Sequence, residues 1–272
     1  MLDPFILGSI RYSFGVLAFI AILWLAEGPQ ALRYSGRFWP AAVAGLFGFC
    51  GFNVFVWWGL VYTRPEHASI IMALQTPMIA IWAWLARGAR PARFTAACVA
   101  LAITGVLLVV TKGDLSHAAG GSLHGDLIVF AGAVSWVIYT LISTQFPGWS
   151  PLRMTVLTCI PGTIGLLAVN AFTVAAGYSG VPTLAAVLSV KWQILYFVVF
   201  TVVLGVLGFN NGVKHLGPLN AMLTLNLVPV MVFAIEIALG RSFGAIEIGG
   251  AALVVCALAA NNLYLRRARA AG

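Results

Sequence analysis

The sequence predicts an all-α polytopic membrane protein built from two inverted-topology repeats. Three observations lead there. Of 272 residues, 61% are apolar and only 8% are charged, against about 25% charged in a soluble domain. The apolar residues form unbroken runs long enough for helical spans of about 20 residues, where a β-barrel would alternate in short strands. Two distant stretches share one proline pattern at a fixed spacing. The net charge of +8 therefore marks membrane topology and not a nucleic-acid footprint. The expected partners are the lipid bilayer and a small solute, with no nucleic acid, and the sequence is compatible with a monomer.

Nine helical segments follow in order. The first, 4–26, opens with Pro4 and lacks a basic stretch before it, so it reads as a retained span and not a signal peptide. The next, 38–62, carries Asn53 and Trp57. Segment 66–86 contains Pro77, and 93–111 is rich in small residues. Segment 124–146 holds the aromatic run AGAVSWVIYTLI, and 151–177 opens on Pro151. Segments 190–214, 218–240 (with Pro229) and 243–265 complete the set. The widest connections, 27–37, 112–123 and 178–189, are too short for a soluble domain.

Alternate threading sorts the basic residues. One side receives Arg33, Arg37, Arg87, Arg90, Arg93, Arg153, Lys214, Arg266, Arg267 and Arg269; the other receives Arg64, Lys112, Lys191 and Arg241. The Arg-rich side is cytoplasmic by the positive-inside rule, which puts the multi-pass chain in the cell inner (plasma) membrane with its C-terminus inside.

The repeat lies in YTRPEHASIIMALQTPMIAIWAWLARG (Tyr62–Gly88) and KHLGPLNAMLTLNLVPVMVFAIEIALG (Lys214–Gly240). At a constant offset of 152, Pro77 falls on Pro229, Ala86 on Ala238 and Gly88 on Gly240. Pro4 likewise matches Pro151 at helix entry. Corresponding spans lie five apart, so each pair crosses the membrane in opposite directions, as in inverted-repeat transporters. The expected division is a first repeat over 1–111, a loop over 112–123 and a second repeat over 124–272. Segment 124–146 has no partner in the first repeat, so an opening helix is expected before Asp3.

The paired Pro77 and Pro229 helices, the Pro4–Arg11 spacing and the aromatic run Ala131–Ile142 resemble the drug/metabolite transporter superfamily, EamA type. The resemblance covers the whole chain. It implies ten helices in two inverted five-helix halves, and a bacterial exporter of amino acids or other metabolites. Two departures stand out. The opening helix is lacking, and Arg241 stands where an acidic residue often follows the glycine ending the ninth helix.

Polar side chains inside hydrocarbon must face other helices or water. The candidate substrate-binding residues are Asn53, Trp57, Gln75, Ser135, Trp136, Tyr139, Thr224 and Asn226. Thr76, Ser143, Asn210 and Asn211 are further polar positions within the runs. Carboxamides both donate and accept, which matches a zwitterion, and aromatic faces suit apolar side chains and cations. The competing reading of each is a hydrogen bond between helices. Pro77 and Pro229 are the candidate hinges, freeing carbonyls near Ala73 and Leu225; plain kinks are the alternative.

Glu236, the one carboxylate well inside a run, is divided between proton coupling and an outward reach. Arg11 is divided between a substrate carboxylate and simple pairing. The four histidines lie near span ends and do not resemble a relay. The four cysteines read as small buried hydrophobes. Trp24, Trp39, Trp149 and Trp192 read as interface anchors. There is no catalytic motif, metal cluster or cofactor fingerprint, so no catalytic residue, metal or cofactor is assigned and an enzyme is not expected.

The leading expectation is a secondary transporter that exports amino acids, aromatic or large apolar ones favoured, by alternating access around a central cavity between the repeats. A nucleotide-sugar or phosphorylated-sugar exchanger is the alternative, disfavoured by the scarcity of deep basic residues. A membrane enzyme or scaffold is the third reading.

Overall fold

The computed structural model describes residues 3–87, 92–111, 122–225 and 227–270. All the secondary structure in them is helical. The helices are α1 (Pro4–Glu27), α2 (Phe38–Gly45), α3 (Phe52–Leu60), α4 (Pro65–Ala73), α5 (Gln75–Arg87), α6 (Arg93–Thr111), α7 (Ser122–Ser143), α8 (Pro151–Ala175), α9 (Leu184–Ser189), α10 (Lys191–Tyr196), α11 (Leu207–Leu216), α12 (Pro218–Leu225), α13 (Leu227–Ala238) and α14 (Ala245–Ala270). Each range anticipated as a span is helical over most of its described residues. Among those residues, Phe5–Glu27, Phe38–Leu60, Leu123–Ser143, Pro151–Ala175 and Lys191–Leu216 are each long and apolar enough to cross a bilayer alone. The fold is that of an all-α polytopic membrane protein.

The helix starts follow from local chemistry. At the head of α1, Asp3 accepts a hydrogen bond from Phe5 N at 2.8 Å and Pro4 fills the first turn. At the head of α8, Ser150 accepts from Arg153 N at 2.9 Å, followed by Pro151. Each pairing satisfies one orphan donor and places proline where no donor is missed.

The Pro77-bearing span is interrupted. The α4 helix ends at Ala73 and α5 begins at Gln75, with a tightened turn at Leu74 whose N–H reaches Ile71 O at 3.0 Å. Pro77 has no N–H for the Ala73 carbonyl, which is why the turn tightens there. Before Pro229, α12 is described to Leu225 and α13 from Leu227, and Asn226 lies outside the described residues. Two other spans contain π-helical segments, Leu46–Gly51 between α2 and α3, and Phe197–Val206 between α10 and α11.

The chain forms two compact units. The first comprises Met1–Trp57 and Ile138–His215; the second comprises Trp58–Val137 and Leu216–Gly272. Each unit combines segments from early and late in the chain, and the two proline-bearing stretches both lie in the second, apart from Lys214 and His215.

In the first unit, α8 packs on α2 and the first π segment, and α1 packs on α8 and the second π segment. Glycines permit the close approach. A Cβ on Gly162 would meet the Gly45 carbonyl oxygen, and one on Gly15 would lie 2.6 Å from Val202. Small residues at helix crossings serve this purpose in membranes, where lipid is as apolar as leucine. At one end Ala41, Phe146, Trp149, Met154 and Leu157 form a buried cluster. Polar bonds tie its connections together. Arg37 donates to Gln145 O at 2.8 Å, Arg153 donates to Arg33 O at 2.7 Å, and Ser150 bonds Glu27. Tyr34 donates to Leu157 O at 3.1 Å, and burial pushes its phenol above the usual value. Trp24, Trp39 and Trp192 are exposed at span ends, as anchors require. Trp149 departs from that expectation: it is buried, stacked on Phe146 at 4.6 Å.

In the second unit α6 runs along α14, and α4 and α5 meet α13 and α12. The crossing of α6 and α14 is reciprocal. A Cβ on Gly105 would lie 2.7 Å from Gly250 O, and one on Gly250 would lie 2.8 Å from Gly105 O. Gly59 and Gly125 repeat this between α3 and α7, at 2.8 Å each way. Ile70, Ile71, Val109, Val129, Val254 and Leu258 fill the core. Phe14, Leu17, Leu107, Phe200 and Leu204 are exposed along the helices, which suits acyl chains. Cys98 and Cys159 are buried as expected, whereas Cys256 is exposed.

Candidate functional site

The first unit contains two polar stations inside its spans. The first is built on Arg11, seven residues into α1, about 10 Å along the helix at 1.5 Å per residue. Arg11 Nη2 donates to Asn53 Oδ1 at 2.9 Å. Asn53 spends its own two donors on Tyr12 OH at 3.1 Å and Phe49 O at 2.7 Å. The carboxamide is thus fully committed, and it fixes the guanidinium. Three rings surround the cation: Tyr12 at 5.1 Å, Trp57 at 5.2 Å and Phe197 at 5.8 Å from the guanidinium carbon to the ring centres. Gly8 leaves room for the Trp57 indole, which any Cβ there would strike.

Among the described residues no carboxylate pairs with Arg11, and its Nε is buried without a hydrogen-bond partner. A guanidinium costs roughly 2.5–3.5 kcal/mol at a helix centre in a bilayer. Cation–π contacts offset part of that, about 0.5–2 kcal/mol each. What remains is an anchor for an anion, walled by aromatic faces.

The second station is Asn210 on α11. Its Nδ2 donates to Tyr139 OH at 2.6 Å and Thr155 Oγ1 at 2.8 Å. Its Oδ1 is buried and has no hydrogen-bond partner. Asn210 lies on the wall of a cavity of about 310 Å³ shared with Ser143, Trp149, Met154 and Lys214. Lys214 Nζ donates to Trp149 O at 2.6 Å across the mouth. The volume suits a solute of amino-acid size.

Phe49 separates the stations. It is fully buried, edge-on to Tyr12 at 5.8 Å and to Tyr139 at 5.3 Å. It sits in the first π segment, the kind of irregularity often found at functional sites. Asn53, Trp57 and Tyr139, all anticipated from the sequence, therefore belong to one connected arrangement with Asn210.

The other anticipated residues lie in the second unit. Gln75 is buried, with Nε2 at 3.2 Å from Met72 Sδ. Thr76 and Pro77 are buried beside it, and Pro229 is buried on α13. Ser135 donates to Ala131 O at 2.9 Å within α7, and Trp136 is buried. Asn226 lies outside the described residues, as does the side chain of Thr224. Tyr12, Phe49 and Thr155 escaped sequence reading. Phe49 and Asn53 are spaced i, i+4, a signal that an apolar run hides.

The second unit also holds buried charge. Glu66 meets Arg241 Nη1 at 3.1 Å and Arg64 Nη1 at 3.9 Å, and Arg241 Nε meets Glu236 at 3.0 Å. Glu236 reaches outward to this network. The residue that departs from the family pattern, Arg241, thus has two acidic partners. His67 Nδ1 lies 3.5 Å from Asp126 Oδ2.

Residues 1–111 and 123–263 match the EamA-like transporter family. The chain belongs to the EamA-like transporter family. Among similar proteins, the uncharacterized transporter YrdR of Bacillus subtilis is 29% identical over 97% of this chain and 84% of its own. The uncharacterized transporter YyaM of the same organism is 32% identical over 91% and 81%. The aromatic amino acid exporter YddG of Ancylobacter novellus is 30% identical over 53% and 50%. A solved crystal structure superposes with a TM-score of 0.68 over 98% of this chain and 90% of its own, at 22% identity, which establishes the fold. As an EamA-like protein, the chain is a multi-pass membrane transporter, and its two polar stations are candidate points of contact with a small-molecule solute.

Proposed function

We propose that this transporter exports amino acids, aromatic or large apolar ones favoured, by alternating access around a central cavity between two inverted-topology repeats. The observation that carries the reading is the Arg11 station. A guanidinium without a carboxylate partner among the described residues, held by Asn53 and walled by Tyr12, Trp57 and Phe197, matches a carboxylate that carries an apolar or aromatic side chain. Asn210 lines the cavity, and its buried carbonyl oxygen has no hydrogen-bond partner, which leaves an acceptor for an ammonium group.

Three further observations support the repeat. The family match falls in two stretches, 1–111 and 123–263. Pro77 and Pro229 are both buried in helices. The offset of 152 that superposes those prolines carries 46–51 onto 198–203, inside the second π segment. Pro77 and Pro229 then act as hinges, with Gln75, Ser135, Trp136, Thr224 and Asn226 lining the path in the second unit. The name of the exporter YddG supports the aromatic preference.

The test is counterflow of labelled L-phenylalanine and L-tryptophan in liposomes holding the purified chain. Both should exchange, and Arg11→Gln should abolish exchange while the protein still purifies as a folded species. Absence of movement across a broad amino-acid panel overturns the substrate class.

A further inference from the structure

We infer that His67 and Asp126 form a proton-binding site that couples transport to a proton gradient, one proton per cycle. This names the coupling ion of the transporter proposed above, and for its substrate probe it rests on that reading.

The pair is buried deeply: His67 is 2% exposed and Asp126 4%. Asp126 Oδ1 accepts a hydrogen bond from Thr63. Its Oδ2 has no hydrogen-bond partner, and neither has either ring nitrogen of His67. The one close approach is Nδ1 to Oδ2 at 3.5 Å. A carboxylate facing a neutral imidazole carries one uncompensated negative charge in a dry place, which is costly. One added proton makes the pair neutral overall, whichever atom holds it. It also makes the N–H···O contact a charge-assisted one, with the proton shared between imidazole and carboxylate.

Charge-assisted bonds close to about 2.8 Å, so protonation draws the partners together by roughly 0.7 Å. His67 stands on α4, a nine-residue helix separated from α5 by the break at Leu74. Such a short element moves as a lever about that break. Binding and loss of the proton therefore act on the proline-broken span.

Among the described residues, the surrounding titratable groups are accounted for. Glu66 on the same turn is held by Arg64 and Arg241, and Arg241 also holds Glu236 of α13. Glu247 of α14 accepts from Gly244 N at 2.9 Å. Tyr62 and His124 contact each other at 5.4 Å, and α6 contributes the buried Cys98. His67 and Asp126 alone among these form a buried acid–base pair whose facing atoms lack hydrogen bonds.

Two measurements test the inference. In liposomes, a pH gradient should drive labelled phenylalanine uphill with a matching counter-flux of protons seen by an entrapped dye. His67→Gln and Asp126→Asn should lose that gradient-driven accumulation yet keep phenylalanine exchange at equal pH. Accumulation retained in both variants overturns the proton site and leaves the substrate reading intact. The second measurement needs no substrate: hydrogen exchange of the 63–73 segment in the purified protein should respond to acidification in the wild type and in neither variant. An identical response in all three overturns the site even if no amino acid is transported.

Discussion

At the scale of single residues, Asn210 bears the heaviest local demand. It gives both amide hydrogens to hydroxyl groups, Tyr139 and Thr155, and its carbonyl oxygen is buried without a hydrogen-bond partner. Asn210→Ala should remove a partner from each hydroxyl and cost about 1–3 kcal/mol, read as a lower melting temperature in detergent. It should also weaken amino-acid binding, because the acceptor for the ammonium group goes with it. Asn210→Gln should keep the acceptor chemistry but not the geometry, and fall between the two. An alanine variant with unchanged melting and unchanged Kd would remove Asn210 from the site. Sequence reading set Asn210 near a membrane interface, where hydration is its default role. Its burial depends on Thr155, 55 positions earlier, and no local pattern encodes that meeting. Asn53 and Trp57 were easier to see, because i, i+4 spacing on one helix face is a local property.

At the scale of elements, glycine sets how closely helices approach. The Gly105 and Gly250 backbones contact each other, and a Cβ at Gly105 would also press within 2.7 Å of Val254. Backbone cannot yield as a flexible side chain does. Gly105→Val should therefore cost about 1–3 kcal/mol through overpacking and lower the melting temperature. Gly148→Ala, which meets nothing within 4 Å, should leave it unchanged. Equal stability of the two variants would refute the crossing. The spans and the break before Pro77 were legible, since apolar length and a missing N–H are written in the residues themselves. The π segments were not. Leu46–Gly51 and Phe197–Val206 have the composition of any apolar helix, and the shift of hydrogen bonding by one residue leaves no compositional trace.

At the scale of the whole molecule, the chain is legible along its length and less so across it. Length, apolar runs and the offset of 152 can be counted, so the polytopic class and the pairing of spans emerge from sequence. Which spans pack together cannot be counted, and each compact unit combines segments far apart in the chain. The connections that meet do agree with alternate threading. Arg33, Arg37 and Arg153 gather at one end of the first unit, and all three were assigned to the same side. Arg64 and Arg241 meet at Glu66 in the second unit, both assigned to the opposite side. In the orientation proposed from the positive-inside rule, the first of these sides is cytoplasmic. Gly148 and Gly180 lie in connections on opposite sides, each with open space around it. A cysteine at either position should therefore react without disturbing packing. In intact cells an impermeant maleimide should label Gly180→Cys and spare Gly148→Cys, with both labelled once the membrane is opened. The native thiols Cys98 and Cys159 are buried, and Cys50 and Cys256 lie inside spans, so the background stays low. Labelling of Gly148→Cys alone in intact cells would invert the orientation, and with it the direction in which an inwardly driven proton moves the solute.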